Sequence, residues 1–297
     1  MSSVQAELIV DARNGVGESP VWVAAEQALW WVDIPGRRLN RWQSSNGHVD
    51  RWRTREMPGC IAPHDGGGWL CAMETGLFHL QPGAQGALVA SHVAAVEHAR
   101  HGMRFNDGRC DRQGRFRAGT MVMAMAQGLA DGVLYGYEGQ GELRALVSGL
   151  IVPNGLAFSP DGKTMYLSDS HPSVQTIWAF DYDTDTGTPS GRRVFADMTY
   201  LPGRPDGAAV DEDGCYWICG NDAGLVHRFT PGGELDRSLA VPVKKPAMCA
   251  FGGPQLDTLY VTSIRPEGVD LSDQPLAGGV FALRPGARGL PEPQAKP

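Results

Sequence analysis

The sequence has few of the features that mark several common protein classes. Its 297 residues include six cysteines and no CxxC pair, so neither a disulfide framework nor a cysteine-ligated zinc site is expected. Cys215 and Cys219 would lie ~13 Å apart on one strand, which is too far for a disulfide bond. No apolar run approaches the ~18 residues of a membrane span, and the first residues have neither the basic start nor the apolar core of a signal peptide. We therefore expect a protein of the reducing cytoplasm that has no membrane partner.

An excess of basic residues is also missing. The chain has 33 acidic residues against 26 Lys and Arg residues, and its net charge is −7. Because nucleic-acid binding requires positive charge to neutralise phosphates, nucleic acid is not expected as a partner. A chain of this length with 42% apolar residues can bury a large core.

No segment gives a convincing amphipathic helix, and short strand-like segments take its place. Segments such as 30–33, 165–168 and 258–262 are rich in aromatic and β-branched residues. Each is bounded by Gly, Asp, Asn or Pro, which typically end strands. The 39 glycines and 21 prolines fit a chain with many tight turns. The sequence therefore predicts an all-β fold.

One pattern recurs along the chain: a polar or small residue, a short apolar run, a turn and a second apolar run. Its copies begin at positions 18, 59, 106, 154, 206 and 247, at intervals of 41, 47, 48, 52 and 41 residues. A repeat of ~40–50 residues with several strands is typical of a propeller blade. We predict a single six-bladed β-propeller domain over 1–283 and a flexible Pro/Gly-rich tail over 284–297. The strand at 7–11 has no blade of its own and is expected to close the ring by pairing in the blade that contains 279–283.

The first residues of the six repeats are expected to converge on the propeller axis, because the innermost strands run along the central channel. Two of them are small and four are polar: Glu18, Asn106, Asn154 and Asp206. Buried carboxylates that converge repel one another, and a bound cation relieves that repulsion. Carboxylate and amide oxygens suit one divalent ion of Ca, Mg or Mn, and Zn or Fe(II) can use them as well. Each Asn-Gly or Asp-Gly pair alone is also an ordinary turn dipeptide, so it is the shared register that favours a metal site.

In these segments the sequence resembles the senescence marker protein/gluconolactonase family, which includes regucalcin and bacterial sugar lactonases. The shared motifs run in order over nearly the whole chain. They are Gly-Glu-Ser-Pro-Val-Trp at 17–22, Trp-Val-Asp-Ile at 31–34, Arg-Phe-Asn-Asp-Gly at 104–108, Ala-Gly-Thr-Met at 118–121, Asn-Gly-Leu at 154–156, Pro-Asp-Gly at 205–207, Phe-Gly-Gly at 251–253 and Ala-Gly-Gly-Val-Phe at 277–281.

The resemblance implies a metal-dependent lactonase built on a six-bladed propeller. It implies that Glu18, Asn154 and Asp206 hold one divalent metal ion and that Asp206 is the catalytic general base. Asn106 would lie beside the metal as a ligand or a substrate contact, and Arg104 would bind the substrate. The implied reaction is hydrolysis of an aldonolactone, such as a glucono-, xylono-, arabinono- or galactonolactone, to the aldonic acid.

The chain departs from the family's pattern in the segment Val-Met-Ala-Met at 122–125. Regucalcin-like members carry acidic residues there, so a carboxylate that faces the substrate is missing. Met123 is expected to provide a substrate contact in its place and to make the pocket wall more apolar. Regucalcin's own substrate preference is therefore not carried over to this chain.

Three other functions fit parts of the same pattern. A regucalcin-like calcium-binding regulatory protein would need the metal ligands but no sugar pocket. A hydrolase of another ester or of a phosphotriester would suit the apolar Met123. A scaffold whose propeller face binds a protein would not need these ligand types. Arg104 beside Asn106 favours the lactonase, whose partner would be a small sugar lactone, and we expect the protein to be a monomer.

Overall fold

The computed structural model describes residues 4–296, whose regular structure consists of 24 strands and three short 3-10 helices. The strands form six antiparallel sheets of four strands each. Each sheet is one blade of a six-bladed β-propeller, which confirms the predicted all-β fold. Within residues 4–296, no helix is long and apolar enough to cross a membrane.

Each of the first five blades consists of four consecutive strands. In chain order these are β2 (Gly17–Val23), β3 (Ala28–Asp33), β4 (Arg38–Gln43) and β5 (Val49–Arg53); β6 (Cys60–Pro63), β7 (Trp69–Ala72), β8 (Gly76–Pro82) and β9 (Leu88–Ala95); β10 (Met103–Cys110), β11 (Phe116–Val122), β12 (Gly132–Tyr137) and β13 (Leu143–Leu150); β14 (Pro153–Phe158), β15 (Thr164–Asp169), β16 (Thr176–Asp183) and β17 (Thr188–Asp197); and β18 (Arg204–Val210), β19 (Tyr216–Asn221), β20 (Leu225–Phe229) and β21 (Leu235–Ala240). The sixth blade contains β22 (Pro246–Gly252), β23 (Thr258–Ser263), β24 (Val280–Leu283) and β1 (Glu7–Val10). The 3-10 helices are Ala84–Gly86, Met125–Gln127 and Met198–Tyr200.

The sixth blade is assembled from both ends of the chain. Strand β1 pairs antiparallel with β24, with Leu8 opposite Phe281 and Val10 opposite Val280. The first strands of neighbouring blades, β2, β6, β10, β14, β18 and β22, contact one another around a closed ring. The expected pairing of the N-terminal strand in the last blade is therefore what the structure shows, and it covers an edge that β24 would otherwise expose.

Apolar layers between neighbouring blades hold the ring together. Between the first two blades, Trp30 stacks on Trp52 with ring centroids 5.1 Å apart and lies 5.0 Å from Trp69. All three side chains are buried, and burying each large apolar side chain contributes roughly 1.5–3 kcal/mol. Strand β3, with the sequence ALWWVD, is buried along its whole length. Inner strands of this kind therefore appear in the sequence as continuous apolar runs rather than as an alternation.

A β-bulge interrupts five of the six innermost strands near the start of the repeat. The pairing of β14 with β15 shifts between Asn154 and Ala157, and that of β18 with β19 shifts between Pro205 and Ala208. Equivalent shifts occur in β2, β10 and β22. Gly155 adopts a left-handed conformation at its bulge, with φ of 62°, which glycine tolerates best. Because a bulge re-aims the side chains beside it, this irregularity separates the start of the repeat from the apolar run that follows in these five blades.

The described part of the tail, 284–296, lies against the propeller, whereas the sequence predicted a flexible segment over 284–297; residue 297 lies outside the described residues. Ala295 is fully buried, and its N–H donates a hydrogen bond to the carbonyl of Pro63 (2.6 Å). Glu292 forms an ion pair with the buried Arg109, at 3.6 Å. The N–H of Glu212 donates to the carbonyl of Arg288 (2.8 Å). The tail thus crosses the face where the first and second strands of the blades are joined, and its Pro and Gly residues fit an irregular path along that face.

Candidate active site

The four polar side chains that begin the repeats line one cavity. Glu18, Asn106, Asn154 and Asp206 come from four different blades, and each is more than nine-tenths buried. The cavity has a volume of about 410 Å³, which is within the range of small-molecule sites. The rest of its wall includes Arg104, Met121, Met125, Val152, Ser170, Arg204, Asn221, Lys245, Ile264, Arg265 and Glu267. The convergence that the repeat predicted is therefore present.

A chain of hydrogen bonds orients the two axial amides. Arg104 Nη1 donates to Asn106 Oδ1 (2.9 Å), and Asn106 Nδ2 donates to Asn154 Oδ1 (3.0 Å) and to the carbonyl of Pro153 (2.9 Å). Asn154 Nδ2 in turn donates to Ser170 Oγ (2.7 Å). These bonds use both Nδ2 hydrogens of Asn106, and they leave Asn154 Oδ1 a second lone pair for another partner.

A third amide holds the axial carboxylate Asp206. Asn221 Nδ2 donates to Asp206 Oδ2 at 2.6 Å, and both side chains are buried. Within residues 4–296, Asn221 Oδ1 is buried without a hydrogen-bond partner. Asn221 therefore contributes one strong, charge-assisted bond, which leaves Asp206 Oδ1 available for a metal ion or a proton.

Burial changes the acidity of the axial groups. The pKa of Glu18 is raised well above its ordinary value because the side chain is buried and because Asp206 and Asp107 lie nearby. Burial raises the pKa of Asp206 to about 7, although the hydrogen bond from Asn221 lowers it. Burial also lowers the pKa of Arg104 to about 10, so Arg104 keeps its charge at neutral pH. The protein's own groups thus do little to stabilise negative charge on these buried carboxyls, and a bound cation would lower their pKa values.

The donor set fits one hard divalent cation. Glu18 and Asp206 offer carboxylates and Asn154 offers an amide oxygen, and these are ligand types that Ca, Mg and Mn prefer. In the described part of the chain, no three His, Cys, Asp or Glu side chains are grouped as metal ligands. A metal site here therefore depends on the Asn154 oxygen as its third ligand. Asn106 Oδ1 accepts a bond from Arg104 and, like Asn154 Oδ1, keeps a second lone pair, so its geometry allows either a metal ligand or a substrate contact.

Met123, from which the sequence predicted a substrate contact, is not among the residues that line the cavity. Its side chain is 37% exposed, and Met121 and Met125 form the apolar wall instead. Strand β11 ends at Val122, and the chain then turns into the 3-10 helix Met125–Gln127. The alternation of the strand places Met121 towards the cavity, and the turn brings Met125 to its rim.

Asn221 and Ser170, which hydrogen-bond to Asp206 and Asn154, were not predicted from the sequence. They occupy equivalent places at the ends of the second strands of two neighbouring blades. Asn221 lies opposite Arg204, two residues before Asp206, and the N–H of Ser170 donates to the carbonyl two residues before Asn154. A polar residue at this place of the second strand, aligned by the same repeat, is the signal that could have identified both.

A larger depression lies between the outer parts of the first two blades. It has a volume of about 670 Å³ and is lined by Trp30, Trp52, Arg41 and His64, among others. None of the axial side chains reaches it. The axial cavity is the stronger candidate because buried groups with perturbed pKa values converge there from several blades.

Comparison with known proteins agrees with this architecture. The sequence profile described as the SMP-30/Gluconolactonase/LRE-like region matches residues 16–265. The chain is 38% identical over 288 residues to 6-deoxy-6-sulfogluconolactonase of Pseudomonas putida, with 96% of each chain covered, and 34% identical over 295 residues to regucalcin of Danio rerio, with 98% of each covered.

Two solved structures share nearly the whole fold. A luciferin-regenerating enzyme has a TM-score of 0.92 at 25% identity, covering 99% of this chain and 100% of the other. A calcium-binding protein, regucalcin, from Agrobacterium tumefaciens has a TM-score of 0.90 at 29% identity, covering 99% of each. These matches extend over the blades that supply the axial residues. The chain belongs to the SMP-30/gluconolactonase/LRE-like family.

Proposed function

We propose that this protein hydrolyses a sugar lactone to the aldonic acid in the axial cavity, with one divalent cation held by Glu18, Asn154 and Asp206. The observation that carries the proposal is the convergence of two buried carboxylates and an amide oxygen from three blades on one cavity. The name of the Pseudomonas relative, 6-deoxy-6-sulfogluconolactonase, supports lactone hydrolysis as the reaction. We expect the substrate to be a glucono-, xylono-, arabinono- or galactonolactone.

The cation, when bound, would supply a Lewis acid that favours charge on the lactone carbonyl oxygen. The protein's own groups bind and orient the substrate. Arg104 uses Nη1 for bonds to Phe105 and Asn106, and a guanidinium has further N–H donors for substrate oxygens. Asn106 accepts a hydrogen bond from Arg104 and donates one to Asn154. We therefore propose that it holds these two side chains in place beside the substrate.

Asp206 is the proposed general base. In the hydrolysis, the oxygen of water adds to the carbonyl carbon, the ring C–O bond breaks and the ring oxygen becomes a hydroxyl. Asp206 accepts a proton from the water, and a proton is returned to the ring oxygen. Asn221 donates a hydrogen bond to Asp206 Oδ2, which fixes the direction of the carboxylate.

The test is acid release from D-glucono-, D-xylono-, L-arabinono- and D-galactonolactone near neutral pH, with spontaneous hydrolysis subtracted. Activity is followed before and after EDTA and after Ca, Mg, Mn, Zn or Fe(II) is added back. Asp206→Ala should abolish turnover and Glu18→Ala should abolish metal binding, whereas Glu212→Ala, at an exposed carboxylate on the opposite face, should change neither. Full activity in a metal-free Glu18→Ala protein would contradict the proposal.

Two other candidates use the same cavity. The Agrobacterium relative is described as a calcium-binding protein, and a calcium-binding regulator would bind the ion through the same three residues without lactone turnover. The methionine wall, Met121 and Met125, would also accept a less polar ester or a phosphotriester. Calcium binding without turnover of any lactone would favour the first candidate, and turnover of an aryl ester or phosphotriester alone would favour the second.

A further inference from the structure

One side of the cavity rim is positively charged, although the chain as a whole has a net charge of −7. Three cations, Arg204, Lys245 and Arg265, line this side. Arg204 Nε lies 2.7 Å from Asp222 Oδ2, and Lys245 also pairs with Asp222. One carboxylate thus serves two cations. With Glu267 on the wall as well, the rim has three cations against two carboxylates.

Arg265 differs from the other cations of the wall. Arg104 donates a hydrogen bond to Asn106, and Arg204 and Lys245 form ion pairs with Asp222. Within residues 4–296, the Arg265 guanidinium makes no hydrogen bond and no ion pair. Its backbone is nevertheless fixed, because its N–H donates to the carbonyl of Asn14 (3.0 Å). Arg265 is a half-buried, well-anchored cation whose hydrogen-bonding capacity is unused.

Two of the rim cations, Lys245 and Arg265, lie across the ring from the predicted substrate contact. The N–H of Ile264 donates to the carbonyl of Lys245 (2.9 Å). Lys245, just before the start of β22, and Arg265, just after the end of β23, therefore lie side by side in the sixth blade. Arg104 belongs to β10, in the third blade. In a ring of six blades the third and sixth are opposite. A substrate that contacts Arg104 near the axis can therefore direct its other end towards Arg265.

We propose that the substrate is a lactone with an anionic group, a phosphate, sulfonate or carboxylate, on the end of its carbon chain away from the carbonyl, and that Arg265, with Lys245 beside it, binds that group. The inference rests on the proposed lactonase function and specifies its substrate class. The divalent cation of the proposed function would balance the charges of Glu18 and Asp206. Arg104 and the rim then leave the cavity positive, which favours an anionic over a neutral substrate. The planar guanidinium offers paired donors that suit all three anions.

The test compares D-glucono-1,5-lactone with the same lactone bearing a phosphate or a sulfonate on carbon 6 and with a lactone bearing a carboxylate there. The wild-type protein should show a higher kcat/KM for at least one anionic lactone than for the neutral one. Arg265→Gln should lower kcat/KM for that anionic lactone by about 10- to 100-fold, chiefly through KM, and should change the neutral lactone less than about twofold. Arg265→Lys should recover part of the loss, and the preference should weaken as salt is raised. The matched control is Arg53→Gln, at an exposed arginine of β5.

A binding measurement separates this inference from the lactonase proposal. Titration of the metal-loaded protein with 6-phosphogluconate and with gluconate, which are not hydrolysed, should show tighter binding of the phosphorylated acid, and Arg265→Gln should remove the difference. If no lactone is turned over but this difference is present, the lactonase proposal fails and the anion site stands. If the neutral lactone is hydrolysed with the same kcat/KM as the anionic ones, the anion site is wrong and the lactonase proposal stands. The same conclusion follows if Arg265→Gln weakens neutral and anionic ligands equally.

Discussion

Replacing Asn221 with Ala tests whether the axial carboxylate is positioned by its neighbour. The variant removes the 2.6 Å bond that Asn221 Nδ2 donates to Asp206 Oδ2. A hydrogen bond to a charged group is worth about 1.5–3 kcal/mol, and loss of a residue that supports a metal ligand typically costs about 10- to 100-fold in metal affinity or activity. We therefore expect the affinity for the divalent cation to fall by about 10- to 100-fold.

The same change should alter the pH dependence in a defined direction. The bond from Asn221 lowers the pKa of Asp206, so its removal raises that pKa and reduces the ionised fraction at a given pH. A hydrogen-bond energy of about 1.5–3 kcal/mol corresponds to a pKa change of about one to two units. The acid limb of the kcat/KM profile should therefore move to higher pH by that amount. Because a metal competes with the proton for Asp206, metal binding should weaken most at low pH.

The assay is calorimetric titration of metal-free protein at several pH values, together with a pH profile of lactone hydrolysis. The matched control is Asn40→Ala, which removes another buried amide; among residues 4–296, its side chain bonds only to the carbonyl of Trp31. It should leave metal affinity and the acid limb unchanged. Melting temperatures of both variants report whether the fold is retained. A folded Asn221→Ala protein with wild-type metal affinity and an unmoved acid limb would refute this reasoning.

Three further predictions concern the neighbours of the site and the tail. Ser170→Ala removes the acceptor for Asn154 Nδ2 and should weaken metal binding about tenfold, measured by the same titration. Burial raises the pKa of Glu18, so the folded state keeps the Glu18 proton to a higher pH than the unfolded state does. In chelator-treated protein, the free energy of unfolding should therefore fall as pH rises above 4.5, by up to about 1.4 kcal/mol per pH unit for this one carboxyl. Glu18→Gln should flatten that slope in urea titrations, and an unchanged slope would contradict the raised pKa. Ala295→Leu overfills a fully buried position of the tail and should lower stability by about 1–3 kcal/mol, whereas Lys296→Leu, at an exposed position, should have little effect on urea unfolding.

The sequence was sufficient to predict the propeller and the identity of its axial residues. The innermost strands occupy equivalent places in all six blades, so the same order of polar residue, apolar run and turn recurs at each. That order made Glu18, Asn106, Asn154 and Asp206 recognisable as one set. The bulges that follow this position in most blades were not predicted, because they depend on how each first strand pairs with the second.

The supporting residues and the tail were harder to predict for a physical reason. Asn221 acts on Asp206 through the pairing of β18 with β19, and its place in the sequence alone does not reveal that register. Met123 was predicted from the family's acidic positions, whereas Met121 and Met125 line the cavity. The direction of these side chains depends on where β11 ends, which the sequence alone does not reveal. The tail was judged from its Pro and Gly content, which does not reveal the backbone bonds that it makes to the turns of the blades.

The most direct measurement of the central claim is a stoichiometric titration of metal-free protein with a divalent cation while lactone hydrolysis is followed. The account predicts that activity rises in proportion to added metal and reaches its maximum at one ion per chain. It also predicts that Glu18→Ala and Asp206→Ala proteins, although folded, are not activated at that stoichiometry. Full lactone hydrolysis by the metal-free wild-type protein, or activation of the folded Glu18→Ala protein at one ion per chain, would contradict the assignment of the axial residues.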